Sequence, residues 1–164
     1  MRHQALPRSL TVVLALVLMA AAVPARAQKT TVPGSTTVVK REQKWWTGQL
    51  RLAREFGRKA LIGFQNAPTD DGTPIDEAVH QAARDAYVLI RAARYGIENA
   101  VNDDKFHDPM LEITARKINE AWQLCRSPVD KASSSMPRQE YLALAVRDLG
   151  QSMRLLDQVL IILP

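Results

Sequence analysis

A single pair of residues in this chain has the spacing of a metal site. Glu77 and His80 are three positions apart, so on a helix both side chains lie on one face, as in the di-iron sites of helical bundles. Such a site needs a second pair and two further carboxylates. After residue 27 the only other histidine is His107, which falls in a loop without a glutamate three residues before it. We therefore predict no metal site and interpret Glu77, His80 and His107 as surface residues.

Other chemistry lacks the residues that it requires. Covalent haem needs Cys-x-x-Cys-His, and the chain has one cysteine. The loop 102–109 gathers Asp103, Asp104, His107 and Asp108, but it lacks the spaced oxygen ligands and central glycine of a calcium loop. Cys125 lies on an apolar helical seam, where we expect a buried, protonated and inert thiol. The sequence therefore predicts a non-enzymatic protein without a cofactor.

The residues considered above lie in, or between, four stretches with helical periodicity. Apolar residues recur with 4-3 spacing in each stretch, and the stretches are separated by turn-rich segments at 66–74, 102–108 and 127–136. No segment alternates apolar and polar residues long enough to form a strand. The pattern predicts an all-α, up-down-up-down four-helix bundle over residues 38–164. Fewer and longer helices in a dimeric assembly would give the same pattern.

Turn and cap residues predict where these helices begin and end. The first helix is expected over 38–65. For the second, Thr73 is a suitable N-cap with Pro74 at the first helical position. Asp108 and Pro109 repeat this signal for the third helix, which Pro128 is expected to end. The fourth is expected to start near Pro137.

The stretch 8–29 is typical of a secretory signal peptide. Its apolar run of about 15 residues is shorter than the roughly 20 that a membrane-spanning helix needs. The basic start and the sequence Ala25-Arg26-Ala27 predict a signal peptide over 1–27, cleaved between Ala27 and Gln28, and a flexible lead-in over 28–37. We therefore expect a periplasmic or secreted protein. Cleavage leaves 19 basic and 17 acidic residues, a net charge of +2 that argues against a nucleic-acid partner.

Two surfaces could bind a partner. Residues 38–65 carry seven basic and two acidic side chains, including Arg51 and Arg58, and they could contact an acidic polymer or anionic membrane with Trp45 at the interface. We favour instead charge pairing with the acidic second helix, because Trp45, Leu52 and Phe56 form a second apolar line that suits the core. The C-terminal run around Leu160 and Ile161 is apolar on all sides and could contact a partner. We favour instead packing of this run within the chain, against Trp45 or the loop 127–136.

These observations favour an exported, non-enzymatic helical bundle that acts by binding a partner protein or a small ligand. Self-association into a homodimer through the apolar C-terminus would be one form of this binding. A haem- or metal-carrying redox bundle in the cell envelope is the alternative hypothesis.

Overall fold

Apolar residues that recur every three or four positions fold into four helices in a computed structural model of the chain. The structure describes residues 35–102, 108–132 and 135–163, and only the backbone of residues 35–41. The helices are α1 (Ser35–Gln65), α2 (Glu77–Val101), α3 (Pro109–Lys131) and α4 (Arg138–Ile162). The described part of the chain contains no strand, which confirms the all-α prediction. The predicted signal peptide at 1–27 lies outside the described residues.

Contacts at both ends of α1 show that it runs antiparallel to α2. Gly63, near the end of α1, lies against Val79 at the start of α2. Gly96, near the end of α2, lies against the indole of Trp46 in the first half of α1. Both glycines allow an approach that a Cβ would prevent, so the two helices pack closely along their length.

The remaining neighbours also run antiparallel. The ring of Tyr87 in α2 stacks on Trp122 in α3, with 5.9 Å between ring centroids. The Ser152 hydroxyl of α4 donates to the Ala121 carbonyl of α3 at 2.8 Å. Helices α1 and α4 are in contact at successive positions: Phe64 with Tyr141, Gly57 with Met153, and Arg54 with Asp157. This arrangement is consistent with the predicted up-down-up-down bundle.

The row of apolar residues that recur with 4-3 spacing in α1 forms one side of the core. Trp46, Leu50, Ala53, Gly57, Ala60 and Phe64 are all buried, as their spacing predicts. They meet a buried row of small and β-branched residues in α2, which are Ala83, Ala86, Ile90, Ala93 and Ile97. Alanine permits a close approach between helix axes, because no long side chain separates the two backbones.

Two buried hydroxyls of the core are satisfied within their own helices. Thr47 donates from Oγ1 to the Gln43 carbonyl at 2.8 Å, and Thr114 donates from Oγ1 to the Met110 carbonyl at 2.7 Å. Because each hydroxyl bonds one turn back, its burial leaves no polar atom without a partner.

Two predicted cap positions differ from the structure at α2. The N-cap is Asp76, whose carboxylate accepts the Ala78 N–H at 2.9 Å, so the prediction of Thr73 as N-cap is wrong. The Thr73 N–H instead donates to the carboxylate of Asp70 at 2.8 Å. This hydrogen bond closes a turn before Pro74, and the helix starts three residues later. At α3, Asp108 is the N-cap and Pro109 the first helical residue, as predicted.

Pro128 does not end α3, which continues to Lys131. The prediction that Pro128 ends α3 is wrong. A proline removes one main-chain hydrogen bond, and this loss is tolerated in the last turn of α3, where only three helical residues follow Pro128. The buried carbonyl of Pro128 accepts a hydrogen bond from the Tyr141 hydroxyl at 3.0 Å. This bond connects the end of α3 to the start of α4.

Among the described helices, none is long and apolar enough to cross a membrane.

Candidate functional site

The side of α1 that faces away from the bundle carries large apolar residues in contact with solvent. Trp45 is 45% exposed, Leu52 46% and Ile62 57%. The prediction that Trp45 and Leu52 belong to the core is therefore wrong, and of that second apolar line only Phe56 packs against the core. The close Ala-rich packing of α2 covers the Trp46 seam but does not extend around α1 to the second line.

Basic residues lie between these apolar side chains. Arg51 is exposed, and Arg54 and Arg58 of α1 both bind the carboxylate of Asp157 in α4 at 3.0 Å. Lys59 forms an ion pair with Glu55, one turn earlier, at 3.3 Å. Together these apolar and basic residues make up what we call the α1 outer face: Trp45, Arg51, Leu52, Arg58, Lys59 and Ile62.

The C-terminal turns of α4 divide their apolar residues between core and solvent. Leu163 is buried, and Leu160 is partly buried and packs against the core. Ile161 is 83% exposed and lies one turn after Asp157, which binds α1. Of the residues predicted for a partner surface, Trp45, Arg51, Arg58 and Ile161 are exposed on α1 and the neighbouring end of α4, whereas Leu160 is directed largely inward.

Glu77 and His80 do not converge on a common point. The Glu77 carboxylate accepts a hydrogen bond from Nη2 of Arg84 on its own helix. The His80 ring lies against Phe64, with 5.5 Å between centroids, and stacks on Tyr141 at 6.2 Å. No three metal-ligating side chains cluster within the ranges that the structure describes. The third candidate, His107, falls outside those ranges.

The aromatic contacts and nearby cations shape the chemistry of His80. Burial lowers the pKa of this imidazole, Glu77 raises it, and the positive charges of Arg84 and Arg138 lower it further. Burial also raises the pKa of Tyr141 to about 12. Both groups are therefore neutral at neutral pH, and the positive charge at this end of the bundle comes from arginine and lysine.

A cavity of about 230 Å³ opens beside His80, where α2 and α4 begin. Its lining residues combine basic, aromatic and apolar side chains and are Ile75, His80, Lys131, Ala132, Met136, Arg138 and Tyr141. Sequence reasoning singled out His80 alone from this set. Arg138 and Tyr141 carried no spacing signal, because the two residues meet His80 only through the tertiary arrangement that brings the starts of α2 and α4 together.

Cys125 is fully buried between α3 and α2, with its Sγ 3.9 Å from the Ala83 carbonyl oxygen. Burial raises the pKa of this thiol to about 12, so the thiol is protonated at neutral pH. The buried thiol of Cys125 would therefore form a disulfide with a second chain only after local unfolding.

No protein-family model, curated protein or solved structure matches the chain.

Proposed function

We propose that this chain is an exported, non-enzymatic helical bundle that acts by binding, and that its α1 outer face docks on an anionic membrane surface. The exposure of Trp45, Leu52 and Ile62 among basic residues carries the proposal. At 1.5 Å per residue, these three apolar side chains extend over about 26 Å of helix. They are not needed for the fold, because a separate seam of α1 fills the core.

The residue types suit an interfacial helix. Tryptophan concentrates at the boundary between lipid and water, because its ring is apolar and its N–H is polar. Basic residues beside it attract acidic lipid headgroups, at about 1 kcal/mol for each charge close to the surface. The basic residues along this stretch exceed the acids by two charges: Lys44, Arg51, Arg54, Arg58 and Lys59 against Glu42, Glu55 and Asp157. The electrostatic attraction is therefore about 2 kcal/mol, roughly thirtyfold in affinity.

The shape of the α1 outer face favours a lipid surface over a protein partner. A depression of about 390 Å³ on this face is lined only by residues of α1, so it lies between the side chains of one helix and not between helices. A protein partner usually gains most of its affinity from an anchor residue in a well-packed pocket. A face formed by the side chains of a single helix suits a deformable bilayer better. The sequence-based preference against membrane contact depended on a core position for Trp45, which the structure contradicts.

Co-sedimentation with vesicles tests the proposal. We expect the chain from Gln28 onward to pellet with vesicles of phosphatidylcholine and phosphatidylglycerol in equal parts, and not with phosphatidylcholine alone. High salt should release the protein, because it screens the headgroup charge. Binding should also shift the tryptophan emission to shorter wavelength, and Trp45→Phe should abolish this shift.

A matched pair of double variants separates docking from net charge. Arg51→Glu with Arg58→Glu should abolish pelleting with the mixed vesicles. Arg91→Glu with Arg116→Glu changes the net charge equally at exposed positions of α2 and α3 and should leave most of the binding. If neither vesicle binds the unmodified protein, or if the two double variants lose binding equally, the proposed surface is wrong. Binding by a protein partner or self-association would then be the better hypothesis.

Export is the second part of the proposal, and it is supported by the sequence of residues 1–27. Mass spectrometry of the protein purified from its native envelope or medium should give an N-terminus at Gln28. Recovery of an intact Met1 from the membrane fraction would instead indicate an uncleaved anchor.

A further inference from the structure

The cavity beside His80 combines positive charge with apolar walls. Lys131 and Arg138 contribute the charges, and Ile75 and Met136 contribute apolar surface. No carboxylate is among the residues that line it. The nearest acid to His80, Glu77, is exposed and bound to Arg84. The charge that Arg138 brings to the cavity is therefore not accompanied by a carboxylate among its lining residues.

The guanidinium of Arg138 has unused hydrogen-bonding capacity beside this cavity. Its Nε donates to the Pro68 carbonyl at 2.6 Å, which fixes the side chain across the loop between α1 and α2. Its Nη2 is buried and has no hydrogen-bond partner among the described residues. A buried N–H group of a charged side chain without an acceptor is unfavourable, and an oxyanion is the acceptor that matches guanidinium best.

The start of α4 adds a second set of donors. Arg138 is the first residue of α4, and its N-cap, Pro137, has no side chain that could accept from the first turn. The N–H groups of the first turn therefore lack a side-chain acceptor, and the helix dipole places partial positive charge there. Helix starts of this kind bind phosphate and carboxylate groups in many proteins.

We propose that this cavity binds a small organic anion. Its carboxylate or phosphate group would contact Arg138 and the start of α4, and its apolar part would lie against Ile75 and Met136. At about 30 Å³ for each water molecule, the cavity has room for about eight of them, so the part of the ligand inside the cavity would have a similar number of heavy atoms. The site is independent of the α1 outer face, so either proposal can fail without the other.

Titrations with three small probes test this site. Butanoate and propylphosphonate carry an anionic group on a short apolar chain, and butanamide is a neutral analogue of the same size as butanoate. We expect both anions to shift the NMR signals of the His80 ring and the Arg138 Nε–H, with dissociation constants on the order of 1 mM. Butanamide should bind at least tenfold more weakly. Tighter binding of butanoate would assign the site to carboxylates, and tighter binding of propylphosphonate would assign it to phosphates.

Variants of two arginines on α4 provide the control. Arg138→Met should weaken anion binding at least tenfold, and Arg138→Lys should restore part of it because the charge returns. Arg154 also donates its Nε to a main-chain carbonyl, but it is exposed two-thirds of the way along α4, so Arg154→Met should leave binding unchanged. Unchanged circular dichroism establishes that each variant is folded. Equal affinity for butanoate and butanamide, no binding of either anion, or full binding by folded Arg138→Met would each overturn the proposal.

Discussion

At the end of the bundle where α1 and α3 begin, Trp46 and Leu50 are buried together with the apolar last turns of α2 and α4. The buried hydroxyls of Thr47 and Thr114 at this end donate hydrogen bonds within their own helices. We call this the Trp46 end. Where α2 and α4 begin, at the cavity end, the bundle instead holds His80, Arg138 and Tyr141. The buried hydroxyls of the first end all have acceptors, whereas the second end contains a guanidinium nitrogen, Nη2 of Arg138, with no hydrogen-bond partner among the residues that the structure describes. We therefore expect the Trp46 end to contribute more to stability than the cavity end.

The largest expected effect comes from removing apolar volume at the Trp46 end. Leu50 is fully buried, so Leu50→Ala should lower the free energy of unfolding by about 3 kcal/mol through lost burial and a cavity. Urea denaturation followed by circular dichroism measures this change. Ile161→Ala removes a similar volume from an exposed position and should change stability by less than about 0.5 kcal/mol. Similar losses for both variants would contradict the assignment of the core.

A pair of glycine substitutions tests how tightly the Trp46 end is packed. A Cβ at Gly96 would collide with the indole of Trp46, which is 3% exposed and has little room to move. Gly96→Ala should lower stability by about 1 kcal/mol, although alanine favours a helix by a similar amount. Gly150 in α4 has no atom within 4 Å of such a Cβ, so Gly150→Ala should raise stability by about 1 kcal/mol. Thermal denaturation of both variants gives the comparison, and a stabilised Gly96→Ala would show that the contact is loose.

At the cavity end, one hydrogen bond between helices has a smaller expected contribution. Tyr141→Phe removes the hydroxyl that donates to the buried Pro128 carbonyl and should lower the free energy of unfolding by about 1 kcal/mol. Tyr95→Phe, at an exposed position of α2, is the control and should change stability by less than about 0.5 kcal/mol. If Tyr141→Phe has no effect, the end of α3 is held to α4 by apolar packing alone.

The smallest effect should be a dependence of stability on pH. The pKa of His80 is lowered in the folded chain, so between that pKa and the ordinary value of 6.5 the unfolded chain binds more protons. Stability should be complete above pH 6.5 and fall as the pH drops toward the folded pKa. The charged groups near His80 are Glu77 and Arg84 on α2, Lys131 on α3 and Arg138 on α4.

Unfolding by urea at several pH values, with His80→Gln as reference, isolates the contribution of His80. The unmodified protein should lose more stability on acidification than His80→Gln does. A gain in stability at low pH would mean that the attraction of Glu77 exceeds the effect of burial, and would reverse the sign of the expected pKa shift.

Helical periodicity was sufficient to predict the four helices and the buried seam of α1 from Trp46 to Phe64. It could not establish how far the neighbouring helices cover α1. Trp45 is therefore exposed, although its spacing with Leu52 and Phe56 suited the core. In α3 the apolar residues with 4-3 spacing are Leu111, Ala115, Ile118, Trp122 and Cys125. Leu111 and Trp122 are only partly buried, whereas the neighbouring Thr114 and Ala121 are fully buried. The pattern of residue types therefore predicts which side of a helix is buried, but not how much of the helix circumference the neighbouring helices cover.

The cavity was not predictable from one-dimensional spacing. His80 and Arg138 are 58 positions apart and come together because α2 and α4 start at the same end of the bundle. A local pattern contains no signal for such a pair. Local chemistry did predict the cap at Asp108. Near Thr73 a second local cap residue, Asp76, takes the N-cap position, and at Pro128 the hydrogen bond from Tyr141 of the next helix accompanies the continuation of α3.

Trp45 and Trp46 are consecutive in the chain, yet one is in contact with solvent and the other is enclosed. The molecule therefore carries a natural pair of optical reporters, one on each side of a single helix. Red-edge excitation and quenching by iodide would address the outer indole, while the emission of the inner one follows the integrity of the bundle. Adjacent native residues can therefore report both ligand contact at the outer surface and the integrity of the core. These two measurements usually need two engineered labels.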